Sequence, residues 1–92
     1  MATERAIGGE IRARTAHIAR NEKRRGQLTR QLREIEIRIR TREAALRDST
    51  ADNPKATKGE LGYHRAEMER LTRQMEAMSQ ENKAHRNWLG QN

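Results

Sequence analysis

Apolar residues recur in this chain at steps of four and three. Leu28, Leu32, Ile35 and Ile39 set the pattern, and apart from Ile37 the residues between them are polar or charged. This spacing draws a seam down one side of a helix. The same steps extend in both directions through Ile11, Arg14, Ile18, Asn21, Arg25, Arg42 and Leu46. The seam predicts a first helix over 10–48, dry in its middle and polar towards its N-terminal end. Residues 1–9 are expected to form a flexible N-terminus, because Gly8 and Gly9 would each cost about 1 kcal/mol inside a helix.

A second seam follows at Leu61, His64, Met68, Leu71, Met75, Met78, Asn82, His85 and Leu89, with Gly90 as its stop. Two starts compete for this helix. Asn53-Pro54 offers an N-cap followed by proline at the first helical position. Thr57 and Glu60 match the capping box. The boundaries adopted are a loop over 49–56 and a second helix over 57–90. Two seams joined by a short loop fold back on each other. The expected class is all-α: an antiparallel coiled-coil hairpin, either self-associating into a four-helix bundle or docked on a larger assembly.

The register can be tested within the sequence. Setting Asn21 against Asn82 opposes Leu28 to Met75, Leu32 to Leu71, Ile35 to Met68 and Ile39 to His64. It also places Arg38 by Glu67, Arg24 by Glu81, Glu43 by Lys58 and Glu36 by Arg65, four pairs of opposite charge. Flanking charges and a buried Asn pair are the devices that select register in coiled coils. A slip of one heptad would set Arg24 against Trp88 and lose the agreement.

Composition narrows the class further. Only 33% of residues are apolar, and Phe, Val and Cys are absent. Such a chain cannot build a thick globular core. Its high charge would suit disorder, but the periodicity and the abundance of Arg, Glu, Ala, Gln and Leu favour long helices. The lack of cysteine excludes disulfides and thiolate metal sites. Neither a signal-peptide h-region nor an apolar run long enough to span a membrane is present. The expectation is a cytoplasmic chain.

Charge is the clearest functional signal. Segment 12–33 holds eight cations against Glu22 alone, which equals the whole formal excess of +7. Arg12, Arg14, Arg20, Lys23, Arg24, Arg30 and Arg33 are the candidate polyanion- or partner-binding residues. Arginine outnumbers lysine here, and its guanidinium binds phosphate and carboxylate bidentately. Nucleic acid or an acidic protein surface is the implied partner. The plainer alternative is a solvated helix face.

Other chemistry is sparse. Trp88 and Tyr63 are the only aromatics, too few for a base-stacking platform. The register brings His17 near His85, with Glu81 one turn before His85. No fourth protein ligand is evident, so these residues are read as structural and no metal is expected. No nucleophile, cleft or cofactor motif is evident, so neither enzymatic activity, a cofactor nor a small-molecule substrate is expected. Ile37, with Ala44, Tyr63, Ala66 and Trp88, is a candidate protein interface, for a partner or for self-association. The reading is a non-enzymatic interaction or adaptor protein, docking through a basic open end and an outer apolar face. The alternative is a sequence-nonspecific nucleic-acid-binding protein using segment 12–33, with an enzyme a distant third.

Overall fold

The computed structural model describes residues 2–92, with side chains from Ala6 onward. Two helices, α1 (Ala2–Arg47) and α2 (Pro54–Gln91), form a hairpin, and the described residues contain no strand. The molecule measures 71 × 16 × 15 Å. Forty-six helical residues at 1.5 Å each reach about 69 Å, so the rod is as long as α1. Its radius of gyration is 20.6 Å, against about 12 Å for a compact domain of this length.

The seams become the interface. Every seam position on both helices is buried or half-buried. Leu28, Ile35, Ile39, Leu61 and Leu71 form the buried cluster, with Leu32, Leu46, Met68, Met75 and Met78 packed against it. Asn21 Nδ2 donates to Asn82 Oδ1 at 2.8 Å, and Asn82 is fully buried. The register expected from the Asn pair is therefore present. The best-buried apolar residues lie between this pair and the loop.

The helix ends differ from expectation. α1 does not start at Glu10 but runs through Gly8-Gly9 from Ala2; Met1 lies outside the described residues. Two glycines cost about 2 kcal/mol, but each residue added to an existing helix gains a backbone hydrogen bond, and Ala, Glu and Arg flank the glycines. α1 stops with Ser49 in the left-handed region, φ 57°. Around it, Asp48 N donates to Ala44 O at 2.9 Å and Thr50 N to Ala45 O at 2.8 Å.

α2 begins one turn earlier than the adopted boundary, at Pro54, so the connection is shorter than 49–56. Asn53 is extended and its side chain accepts from Ala56 N at 3.2 Å. With that cap formed, Thr57 lies inside the helix and its hydroxyl donates to Asn53 O at 3.1 Å instead of capping. At the other end α2 passes Gly90, which keeps a negative φ. Asn92 closes the helix, its backbone N–H donating to Leu89 O and its side chain to Trp88 O.

Gly26 is the weak point in the middle of α1. It is exposed, and a Cβ there would meet nothing within 4 Å. Gly26→Ala is expected to stabilise the hairpin by about 1 kcal/mol through restricted unfolded-chain freedom and better helix propensity. A denaturation midpoint unchanged or lowered would contradict this.

Candidate polyanion interface and polar open end

Exposed cations gather on α1. Arg12, Arg20, Lys23, Arg24, Arg30 and Arg33 are all exposed. Of these, Arg20, Lys23, Arg24, Arg30 and Arg33 have no carboxylate within 4.0 Å among the described residues. Arg24 turns along its own helix, donating to Gln27 at 3.3 Å. The absence of neighbours follows from the sequence, since Glu22 is the only acid in the segment. Arg20, Lys23 and Arg30 stand three and seven residues apart, which places them on one side of α1, away from the seam.

Arg14 is placed differently. Its Nε donates to Glu10 at 2.8 Å, its Nη1 lies 3.2 Å from His85 Nδ1, and its guanidinium sits 4.5 Å above the Trp88 ring. This cation–π contact covers the end of the interface and explains why Trp88 is half-buried. Sequence reasoning put Arg14 with the binding cations and missed this use. The signal was present, because the register sets Arg14 opposite Leu89, beside Trp88.

The flanking ion pairs are rearranged while the register is kept. Glu36 takes Arg40 on its own helix at 2.6 Å, Glu43 takes Arg65 at 3.9 Å, and Glu81 turns to the histidines. Arg38 and Glu67 face one shallow groove with Arg70 without closing to 4.0 Å. Further cross-helix pairs are Arg42 with Glu60 and Arg86 with Glu22. Exposed pairs contribute only about 0–1 kcal/mol, and a partner one turn away on the same helix is as reachable as one across the interface. Long side chains therefore choose by local geometry.

Glu22 is the busiest acid of the open end. Its Oε1 accepts from Arg86 Nη2 at 2.8 Å and from Asn82 Nδ2 at 3.4 Å, and Arg25 lies 3.8 Å away. The Arg86 hydrogen bond is the main reason its carboxyl is held below the ordinary carboxylate range; Arg25 and Asn82 act in the same direction and partial desolvation opposes them. A carboxyl depressed by folding favours the folded state above its unfolded pKa, and that contribution is lost as pH falls through the folded one.

Beside this network, His17 and His85 stack, with centroids 5.3 Å apart and planes at 17°. Glu81 Oε1 lies 3.8 Å from His17 Nδ1 and 3.6 Å from His85 Nε2.

The candidate apolar interface is not gathered into one patch. Ile37 is 62% exposed and Tyr63 66%, and Ala44 is half-buried. Ile37 and Ala44 stand two turns apart on the outer side of α1. Tyr63 and Ala66 line a shallow groove with Glu67, Arg70 and Arg73, all from α2. Trp88 sits at the open end under Arg14. Tyr63 meets the buried His64 edge to face at 5.6 Å. No helix among the described residues is long and apolar enough to cross a membrane.

Compared with known proteins, the chain matches no family model, no curated protein and no solved structure.

Proposed function

We propose that this hairpin is a non-enzymatic interaction protein, an adaptor or assembly component whose two helices act as an antiparallel coiled-coil strut. The cations of α1 outside the seam form its docking surface, with Arg20, Lys23 and Arg30 on the outer side and Arg24 and Arg33 on opposite flanks, and the partner is polyanionic. The observation that carries this reading is the set of five exposed cations, Arg20, Lys23, Arg24, Arg30 and Arg33, that have no carboxylate within 4.0 Å among the described residues. Elsewhere on the rod Arg40, Arg42, Arg65 and Arg86 find acids, while Arg38, Arg70 and Arg73 stand near Glu67 without an ion pair among the described residues. An uncompensated group of like charges on a straight helix repels itself, and a polyanion relieves the repulsion.

A second reading, that the partner is nucleic acid, is favoured by the length of the stripe. From Arg20 to Arg30 the helix rises about 15 Å, which spans roughly four phosphates of one strand at 3.4 Å each, and a strand that wraps the helix also reaches Arg24 and Arg33. Contact would be with the backbone and therefore sequence-blind. Binding of the full chain to duplex DNA and to structured RNA is expected to weaken steeply with salt, with a log–log slope of about −4 to −5 if five phosphates are neutralised. Failure to bind either at low salt removes nucleic acid and leaves an acidic protein surface as the partner of the same stripe.

Ile37 supports self-association on the other part of the outer surface. A two-helix core is thin, and pairing of two hairpins would cover exposed apolar side chains. The chain of 10.7 kDa is expected to sediment above monomer mass, and Ile37→Glu to return it to monomer without loss of helicity. Equal mass for both proteins would show that Ile37 docks no second copy.

A further inference from the structure

Three ligand-type side chains from both helices converge at the open end. His17 comes from α1, and Glu81 and His85 from successive turns of α2. One donor atom of each lies within 4.8 Å of the other two. Two edges of this triangle, at 3.6 and 3.8 Å, are already short. Ligands at 2.0–2.1 Å from a tetrahedral ion stand about 3.4 Å from one another. A contraction of a few tenths of an ångström on those edges, together with closure of the His17–His85 edge from within 4.8 Å to about 3.4 Å, would bring the donors to bonding distance of a shared cation.

A second observation points the same way. His85 Nε2 is shut off from water and has no hydrogen-bond partner. Buried nitrogens are normally satisfied, and the exceptions need an explanation. This nitrogen faces the Glu81 carboxylate from beyond hydrogen-bond reach, as one ligand faces another across a site. Two imidazoles and one carboxylate are a donor set for zinc, cobalt, nickel or copper, and a poor one for magnesium or calcium. A fourth protein ligand is not required, because a water completes three-ligand zinc sites.

Two features oppose binding in the geometry described. The His rings are stacked, so their in-plane lone pairs do not yet meet. His17 is exposed, and rotation of its ring out of the stack would aim its nitrogen at Glu81. Arg14 Nη1 also lies against His85 Nδ1. A guanidinium only donates, so this contact holds Nδ1 as the acceptor and places the ring proton on Nε2. A metal needs the reverse tautomer, with Nε2 free and the proton on Nδ1. Arg14 is therefore a competitor of the ion, and loading requires it to leave His85.

We propose that His17, Glu81 and His85 form a mononuclear transition-metal site of the zinc class, with one position open to water, that fastens α1 to α2 at the open end. This site is independent of the cationic stripe, since none of its three ligands belongs to the stripe.

The test uses the full chain with Co²⁺ as optical probe and Zn²⁺ as competitor. One Co²⁺ per chain is expected, with the intense visible bands of a four-coordinate ion, displaced by Zn²⁺. Saturating Zn²⁺ is expected to raise the melting midpoint by about 11–22 °C at a hundredfold excess over Kd. His17→Gln and Glu81→Gln are each expected to weaken binding tenfold or more. Both residues are exposed, so helicity in chelator checks that these variants still fold. Arg14→Gln is expected to tighten binding. Dissociation constants weaker than about 1 mM, or Co²⁺ binding unchanged in both ligand variants, would overturn the proposal.

Discussion

Replacing Arg20, Arg30 and Arg33 together by alanine is expected to lower affinity for duplex nucleic acid by roughly 10²–10³-fold near 0.1 M salt, and to flatten the salt slope by about three. Each phosphate contact contributes through counterions released, so the loss grows as salt falls and is the same for every sequence. Folding should be untouched. All three side chains are exposed, none has a carboxylate within 4.0 Å among the described residues, and alanine is the best helix former. Arg24 is the poorer target, because it also holds Gln27. Sequence-dependent losses, or an unchanged slope, would show that the stripe does not contact a nucleic-acid backbone. Loss of an acidic protein partner in the same triple variant would instead support the adaptor reading.

Leu28→Ala is expected to destabilise the hairpin by about 3 kcal/mol, within the 2–5 kcal/mol range for emptying a packed leucine site. Leu28 is 0% exposed and belongs to the cluster joining both helices. At roughly 0.05–0.15 kcal/mol per residue the whole chain is stable by only about 5–14 kcal/mol, so one cavity removes a large share of it. The melting midpoint should fall by at least 12 °C, at 4–8 °C per kcal/mol for this size. Gln80→Ala is the control, changing stability by less than about 0.5 kcal/mol because Gln80 is exposed and belongs to neither the seam nor the candidate interfaces. Similar effects of the two variants would mean that the seam is not the core. Thermal unfolding followed by helical circular dichroism reads both.

The seams were legible because a helix converts sequence spacing directly into direction. Ile35 and Ile39 are buried and Ile37 between them is exposed, as a period of 3.6 requires. Asn21 and Asn82 gave the register because they are the only asparagines on the two seams, and opposing them also sets the aliphatic and methionine positions against one another. Helix ends were less legible. Asn53 and Thr57 are both competent caps one turn apart, and the choice between them depends on how early the chain turns back. Gly8-Gly9 read as a stop, yet local cost does not outweigh the continuity of a long helix. The flanking charges were hardest. Glu36, Glu43 and Glu81 each had more than one cation or imidazole in reach, with differences in energy too small to read from spacing. Register alone put His17 and His85 together, but the approach of Glu81 to both depends on side-chain rotamers, and spacing does not specify those.

The covalent link between the helices lies at the apolar end of the rod, while the Asn pair, Arg14, Trp88, His17 and His85 lie at the far end. Closing a loop costs more as it lengthens. Layers beside the connection join α1 to α2 across a few residues, whereas Arg14 and His85 are 71 apart in sequence. The molecule is thus a zipper with a fixed starting point. It closes from Leu46 and Leu61 outward and frays in the opposite order. The cations from Arg20 to Arg33 lie across the middle of the zipper, between the layers that separate first, near Ile11 and Ile18, and those that separate last, near Ile39 and Leu46. A ligand gripping them all would act as a splint across the boundary between the two, coupling what it holds to how far the zipper is shut.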